Sequence, residues 1–237
     1  NIHYLQGTEE IAEKPYKTLY LLHGLFGSDD IFLANTTIQK FAEDHNIAVV
    51  LPSGENSFYV DQKESHKYYG EFIGRELVEM TRNIFPLSHK KEDTYLAGFS
   101  MGGYGAIRNG LKYYDTFGYI GAISAALLTD DLHNWGEGDD LLSSKSFAQS
   151  CFGDLNKVIG SDMDPKFLID DLIANDIEIP KIFMAVGDND FLYNENIDYY
   201  NYLKSRNVDV EFRCSSGEHT WEFCNDYIKE FIEWLPL

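Results

Sequence analysis

Short apolar runs and longer amphipathic stretches alternate along this chain of 237 residues. Five runs are almost continuously apolar: 18–22 (TLYLL), 47–51 (IAVVL), 94–98 (TYLAG), 119–124 (YIGAIS) and 181–186 (KIFMAV). A strand with one wet face alternates polar and apolar residues. A strand without alternation is covered on both faces, as in a parallel sheet between two helical layers. A sixth run, 208–214 (VDVEFRC), alternates more and is expected nearer the sheet edge. Elsewhere the period is helical. Phe72, Ile73, Leu77, Met80 and Ile84 fall on one stripe of a helix near 71–84. Phe223, Tyr227, Ile228, Phe231, Ile232 and Leu235 do the same near 222–235. This order predicts one α/β domain over 1–237, with a mostly parallel central sheet and helices on both faces.

The alternation breaks between 130 and 176, where no buried strand is evident and 11 acidic residues face 3 basic ones. Two or three helices with loops are expected there. The segment reads either as a solvated helical excursion covering one end of the sheet or as a lid shaping a pocket. The opening NIHYLQGTEE is neither basic nor a long apolar run, so no signal peptide is visible, and whether one was removed is left open. Asn1 is not an initiator methionine, and the expected start is one from which the first strands are truncated.

Composition narrows the classes. Hydrophobic residues at 44% can bury a sizeable core, and no run reaches the roughly 18–20 apolar residues that cross a bilayer. Acidic residues outnumber basic ones 39 to 19, a net charge of −20 that repels phosphate backbones and anionic lipid heads. Neither nucleic acid nor a membrane surface is therefore expected as a partner. Cys151, Cys214 and Cys224 are too scattered for a disulfide framework or a metal site, and with no targeting segment the expected location is cytoplasmic.

The strongest chemical signal is Gly98-Phe99-Ser100-Met101-Gly102, between a buried strand and a helix. A glycine-x-serine-x-glycine turn in that setting is a nucleophile elbow: a tight strand-to-helix turn projects the serine Oγ from the top of the sheet. The helix that follows aims its first N–H groups at any oxyanion formed there. Serine needs a base, and in an α/β-hydrolase the acid and then the histidine follow the serine in chain order. Only His133 and His219 lie after Ser100. His133 sits among carboxylates and reads as a surface residue. His219, in the loop SSGEHTW between the last strand and last helix, is the expected base. The acid should follow the strand ending near Val186, where Asp188 and Asp190 both qualify on position alone. A metal held by this Asp-x-Asp pair finds no further ligand spacing. Oxyanion donors are expected from the N–H groups of Met101 and of Leu25, in the loop His23-Gly24-Leu25-Phe26-Gly27. His23 reads as a brace of that turn. Phe26, Tyr59, Phe99, Trp135 and Trp221 either line an apolar pocket or pack in the ordinary way.

HGLFG, SFY at 57–59, GFSMGGYGA, GDNDFLY and GEHTW together resemble the esterase D-like family of serine carboxylesterases. Bacterial tributyrin esterases are the nearest likeness within it, with acetyl and feruloyl esterases as relatives. The resemblance spans nearly the whole chain. It implies an α/β-hydrolase fold with Ser100 as nucleophile, His219 as base, Asp190 rather than Asp188 as acid, and Leu25 and Met101 as oxyanion donors. It departs where the family often carries a tryptophan after the HGxxG loop and this chain has Ile31-Phe32. The expected function is hydrolysis of short-chain acyl or aryl esters through an acyl-enzyme, with no metal or organic cofactor. S-formylglutathione hydrolysis is the alternative, and a catalytically idle binding protein on the same fold is a third reading. The expected partner is a small-molecule ester, acylated carbohydrate among the candidates; self-association is left open.

Overall fold

The computed structural model describes residues 2–5, 15–63, 65–136 and 144–237. Its main sheet runs in the order β1-β3-β2-β6-β7-β8-β9. The strands are β1 (Ile2–Leu5), β2 (Thr18–Leu22), β3 (Ala48–Pro52), β6 (Thr94–Phe99), β7 (Tyr119–Ile123), β8 (Lys181–Gly187) and β9 (Val210–Ser215). β1 pairs antiparallel with β3, and every other pairing is parallel. A two-stranded ribbon, β4 (Asp61–Gln62) with β5 (Lys67–Tyr68), stands apart from it.

Successive side chains of each central strand enter opposite layers, which is why the runs show no alternation. Tyr20, Leu22 and Leu96 join the core under α4 (Leu77–Ile84), α5 (Met101–Lys112), α7 (Pro165–Ala174) and α8 (Tyr193–Ser205). Leu19, Leu21, Tyr95 and Ala97 join the other, under α1 (Ile31–Asn35), α2 (Ile38–His45) and α9 (Trp221–Trp234). β9 pairs only with β8 and is exposed along its second half, the edge strand its alternation predicts.

Three features depart from the sequence reading. A strand, β1, precedes the first one expected and caps the far edge of the sheet. The helix expected near 71–84 begins at α3 (Tyr69–Glu71) and passes through a π-helical turn, Phe72–Glu76, before α4. That wider turn throws the later residues out of phase with a uniform helical period. Ile73, Leu77, Val78 and Thr81 are consequently buried, while Met80 and Ile84 of the expected stripe face outward. The terminal helix has no such turn, and all six residues of its stripe are buried.

The described part of 130–176 holds α6 (Lys145–Phe152), α7 and short 3-10 turns; residues 137–143 of that segment lie outside the described residues. α7 packs on α5. The Tyr104 hydroxyl donates to Met163 O at 2.6 Å, and the fully buried Arg108 donates to Asp162 O at 2.8 Å and pairs with the Asp162 carboxylate. Buried charge of this kind is stable only when paired, so these contacts pin the segment to α5.

Candidate active site

Ser100 stands between β6 and α5 at φ 58°, ψ −119°, a conformation a residue with a side chain adopts only under strain. The turn that imposes it is crowded. A Cβ on Gly98 would fall 2.2 Å from Gly102 O, and one on Gly102 would fall 2.0 Å from Leu22 O. Neither position tolerates a side chain. The Ser100 backbone is anchored by its N–H donating to Ile123 O at 3.0 Å and by its O accepting from Ala126 N at 3.0 Å. Met101 opens α5, whose first N–H groups have no intrahelical acceptor.

The loops after β8 and β9 bring an acid to a base. His219 Nδ1 lies 2.9 Å from Asp190 Oδ2 and 3.1 Å from Oδ1, and the Asp190 side chain is fully buried. Burial pushes the Asp190 carboxyl upward; hydrogen bonds from His219 and the Leu192 N–H, with Ser124 nearby, outweigh it and leave its pKa below the ordinary value. Ser124 Oγ is buried close enough to favour that charge, yet it forms no hydrogen bond of ordinary geometry. A charged acceptor at Nδ1 keeps the proton there and leaves Nε2 as the basic nitrogen. Asp188, the other positional candidate, is exposed. Its Oδ1 accepts from Gly217 N at 3.1 Å, so it braces the histidine loop from behind. Thr220 caps α9 by accepting from Phe223 N, which fixes the helix start next to His219.

The loop after β2 forms the facing wall. Two hydrogen bonds assign the tautomer of the buried His23: Gly54 N–H donates to Nε2 at 2.9 Å, so Nδ1 carries the proton that reaches Gly24 O at 2.7 Å. Desolvation lowers the His23 pKa and keeps the ring neutral. His23 is thus a brace, as the sequence suggests. Phe26 N–H donates to Asn56 Oδ1 at 2.8 Å, with Phe26 itself at φ 61°. Asn56 carries no motif signal and was missed from sequence.

These loops enclose a cavity of about 560 Å³ lined by both Ser100 and His219. No hydrogen bond joins the two side chains in this structure, and such contacts commonly tighten only around substrate. Leu25, Phe26, Phe99 and Trp221 of the expected set line the cavity. Tyr59 and Trp135 do not. Tyr59 is buried and donates from its hydroxyl to His23 O at 2.9 Å, and Trp135 packs against the core near α6. Phe58, Phe191 and Glu195 also line it without having been singled out. Ile31 lines the cavity and Phe32 packs edge-on against Trp221, so the pair standing in for the family tryptophan still builds this wall. No described residue of 130–176 reaches the cavity. No group of three or more His, Cys, Asp or Glu residues positioned to hold a metal occurs among the described residues.

A parallel sheet flanked by helices, with a strained serine on the β6–α5 turn and a histidine–carboxylate pair on the loops after β9 and β8, defines an α/β-hydrolase. The Esterase family model matches residues 8–233, and the chain belongs to that family of carboxylic ester hydrolases. An acetyl esterase of Caldicellulosiruptor saccharolyticus is 43% identical over 228 residues, 96% of this chain and 86% of the relative. FphF, a fluorophosphonate-binding serine hydrolase of Staphylococcus aureus, superposes with a TM-score of 0.87 at 33% identity, covering 99% of this chain and 91% of that one. The S-formylglutathione hydrolase FrmB of the same organism gives a TM-score of 0.84 at 33% identity, with the same coverage. Among the described residues no helix is long and apolar enough to cross a membrane.

Proposed function

We propose that the chain is a serine carboxylesterase acting on short-chain esters through an acyl-enzyme, with Ser100, His219 and Asp190 as its triad. The observation that carries this reading is the charged Asp190 held on His219 Nδ1 in the cavity that Ser100 lines. Ser100 Oγ attacks the ester carbonyl as His219 Nε2 takes its proton, and the carbonyl electron pair moves onto oxygen. The N–H groups of Leu25 and Met101 receive that oxyanion. Collapse of the intermediate expels the alcohol, which takes the proton from His219. Water then enters by the same route and frees the acid. The mainly apolar lining suits a short acyl chain, and the net charge of −20 disfavours anionic substrates. The three free thiols support a reducing compartment, so the proposal includes a cytoplasmic location.

Ser100→Ala should abolish hydrolysis of p-nitrophenyl acetate and butyrate while leaving the circular dichroism melt intact; turnover near wild type would overturn the assignment. The likeness to FrmB favours a second reading, thioester cleavage with the same residues. A kcat/KM for S-formylglutathione far above that for butyrate esters would select it.

A further inference from the structure

Asp190 holds the edge of the His219 imidazole, and two phenyl rings pack against it. The Phe99 ring stacks on it at 4.5 Å between centroids and 26° between planes; the Phe191 ring lies at 4.6 Å and 47°. Phe99 makes a further ring contact with Trp221. The two phenylalanines differ in what else they do. Phe99 is 5% exposed and belongs to the core, whereas Phe191 is 61% exposed. A ring that open to water adds little to the interior, and the ring contact it makes is with the imidazole.

Resting on the reading of His219 as the base, we propose that Phe191 is a positioning residue that fixes the plane of the imidazole and stabilises the imidazolium formed during acylation. The hydrogen bond to Asp190 places Nδ1 but leaves the ring free to swing about that contact, because the outer torsion of histidine is broad. A ring packed against it restricts the swing and keeps Nε2 available to the cavity that Ser100 lines. As the proton moves from Oγ to Nε2, the ring becomes a cation lying against an aromatic face, which attracts it electrostatically. The adjacent pair Asp190-Phe191 therefore supplies a hydrogen-bond partner and a ring contact from one turn. That turn is itself fixed by Leu192 N–H donating to Asp190 Oδ1 at 2.8 Å.

The test is a series at 191 on the full chain. It reads kcat and KM for p-nitrophenyl acetate, the second-order rate of labelling by a small alkyl fluorophosphonate, and the melting temperature. Phe191→Leu keeps an apolar wall but loses the ring. It should lower kcat and the labelling rate about tenfold (~1.4 kcal/mol) with KM and melting temperature near wild type. Phe191→Tyr should recover most of that loss, and Phe191→Met serves if the leucine variant does not fold. A leucine variant within twofold of wild type in both rates would overturn the inference, as would tyrosine and leucine variants equally impaired. Wild type that the probe fails to label would overturn the underlying esterase reading, a result distinct from either.

Discussion

Replacing Asp190 with asparagine tests the acid by geometry alone, since the two side chains have nearly the same shape. In the native site Leu192 N–H donates to Oδ1 at 2.8 Å and His219 Nδ1 lies 2.9 Å from Oδ2. Asparagine has one acceptor oxygen, and the fixed Leu192 N–H claims it. The amide NH2 must then face Nδ1, which can pair with it only as an acceptor. The imidazole proton moves to Nε2, and the nitrogen that the proposed mechanism needs as base becomes a donor. The enzyme loses a charge-assisted hydrogen bond of about 1.5–3 kcal/mol and also the tautomer that acts as base. Together these should cost about 10³–10⁴-fold in kcat, or roughly 4–5.5 kcal/mol. Asp188→Asn keeps an oxygen for Gly217 N–H and should cost less than about tenfold. The assay is kcat on p-nitrophenyl butyrate for both variants, with circular dichroism to confirm folding. An Asp190 variant within tenfold of wild type, or an Asp188 variant damaged as badly, would refute the reasoning. Acid stability gives a second readout. With its folded pKa held below the ordinary value of about 3.9, Asp190 contributes stability above roughly pH 4, lost as pH falls through the folded value. The asparagine variant should lack that part of the acid transition.

Asn56→Ala removes the acceptor of Phe26 N–H and should lower kcat about five- to tenfold and unfolding free energy by about 1 kcal/mol, with Asn56→Asp restoring most of both in denaturant melts and steady-state rates. His23 is held neutral below its ordinary pKa, so the unfolded chain binds its proton first. Melting temperature should therefore fall as pH drops below about 6.5, and His23→Gln should flatten that part of the curve.

Much of this molecule is readable from residue pattern because both faces of its sheet are covered. Runs such as TLYLL carry strand and burial in the same letters, and GFSMG states its own turn because only glycine fits at Gly98 and Gly102. The helix through Phe72 was misread in phase because a π-helical turn leaves no periodic trace. Position alone could not separate Asp188 from Asp190. The carboxylates are two residues apart on a tight turn, and only the folded loop decides which one reaches Nδ1. Asn56 was invisible for a related reason: its value lies in meeting one amide 30 residues away. Tyr59 could be read from sequence either as a pocket wall or as ordinary packing, and its buried hydroxyl, paired with His23 O, places it in the core.

The position of β9 has a consequence for how the enzyme would fail. Ser100 is rooted in an interior strand gripped from both sides, whereas the loop carrying His219 hangs from a border strand gripped from one. Border segments peel first because fewer bonds must break to release them. Under mild denaturing stress His219 would come loose while Ser100 still stood in place, and by the proposed mechanism hydrolysis would cease in a molecule whose bulk was still intact.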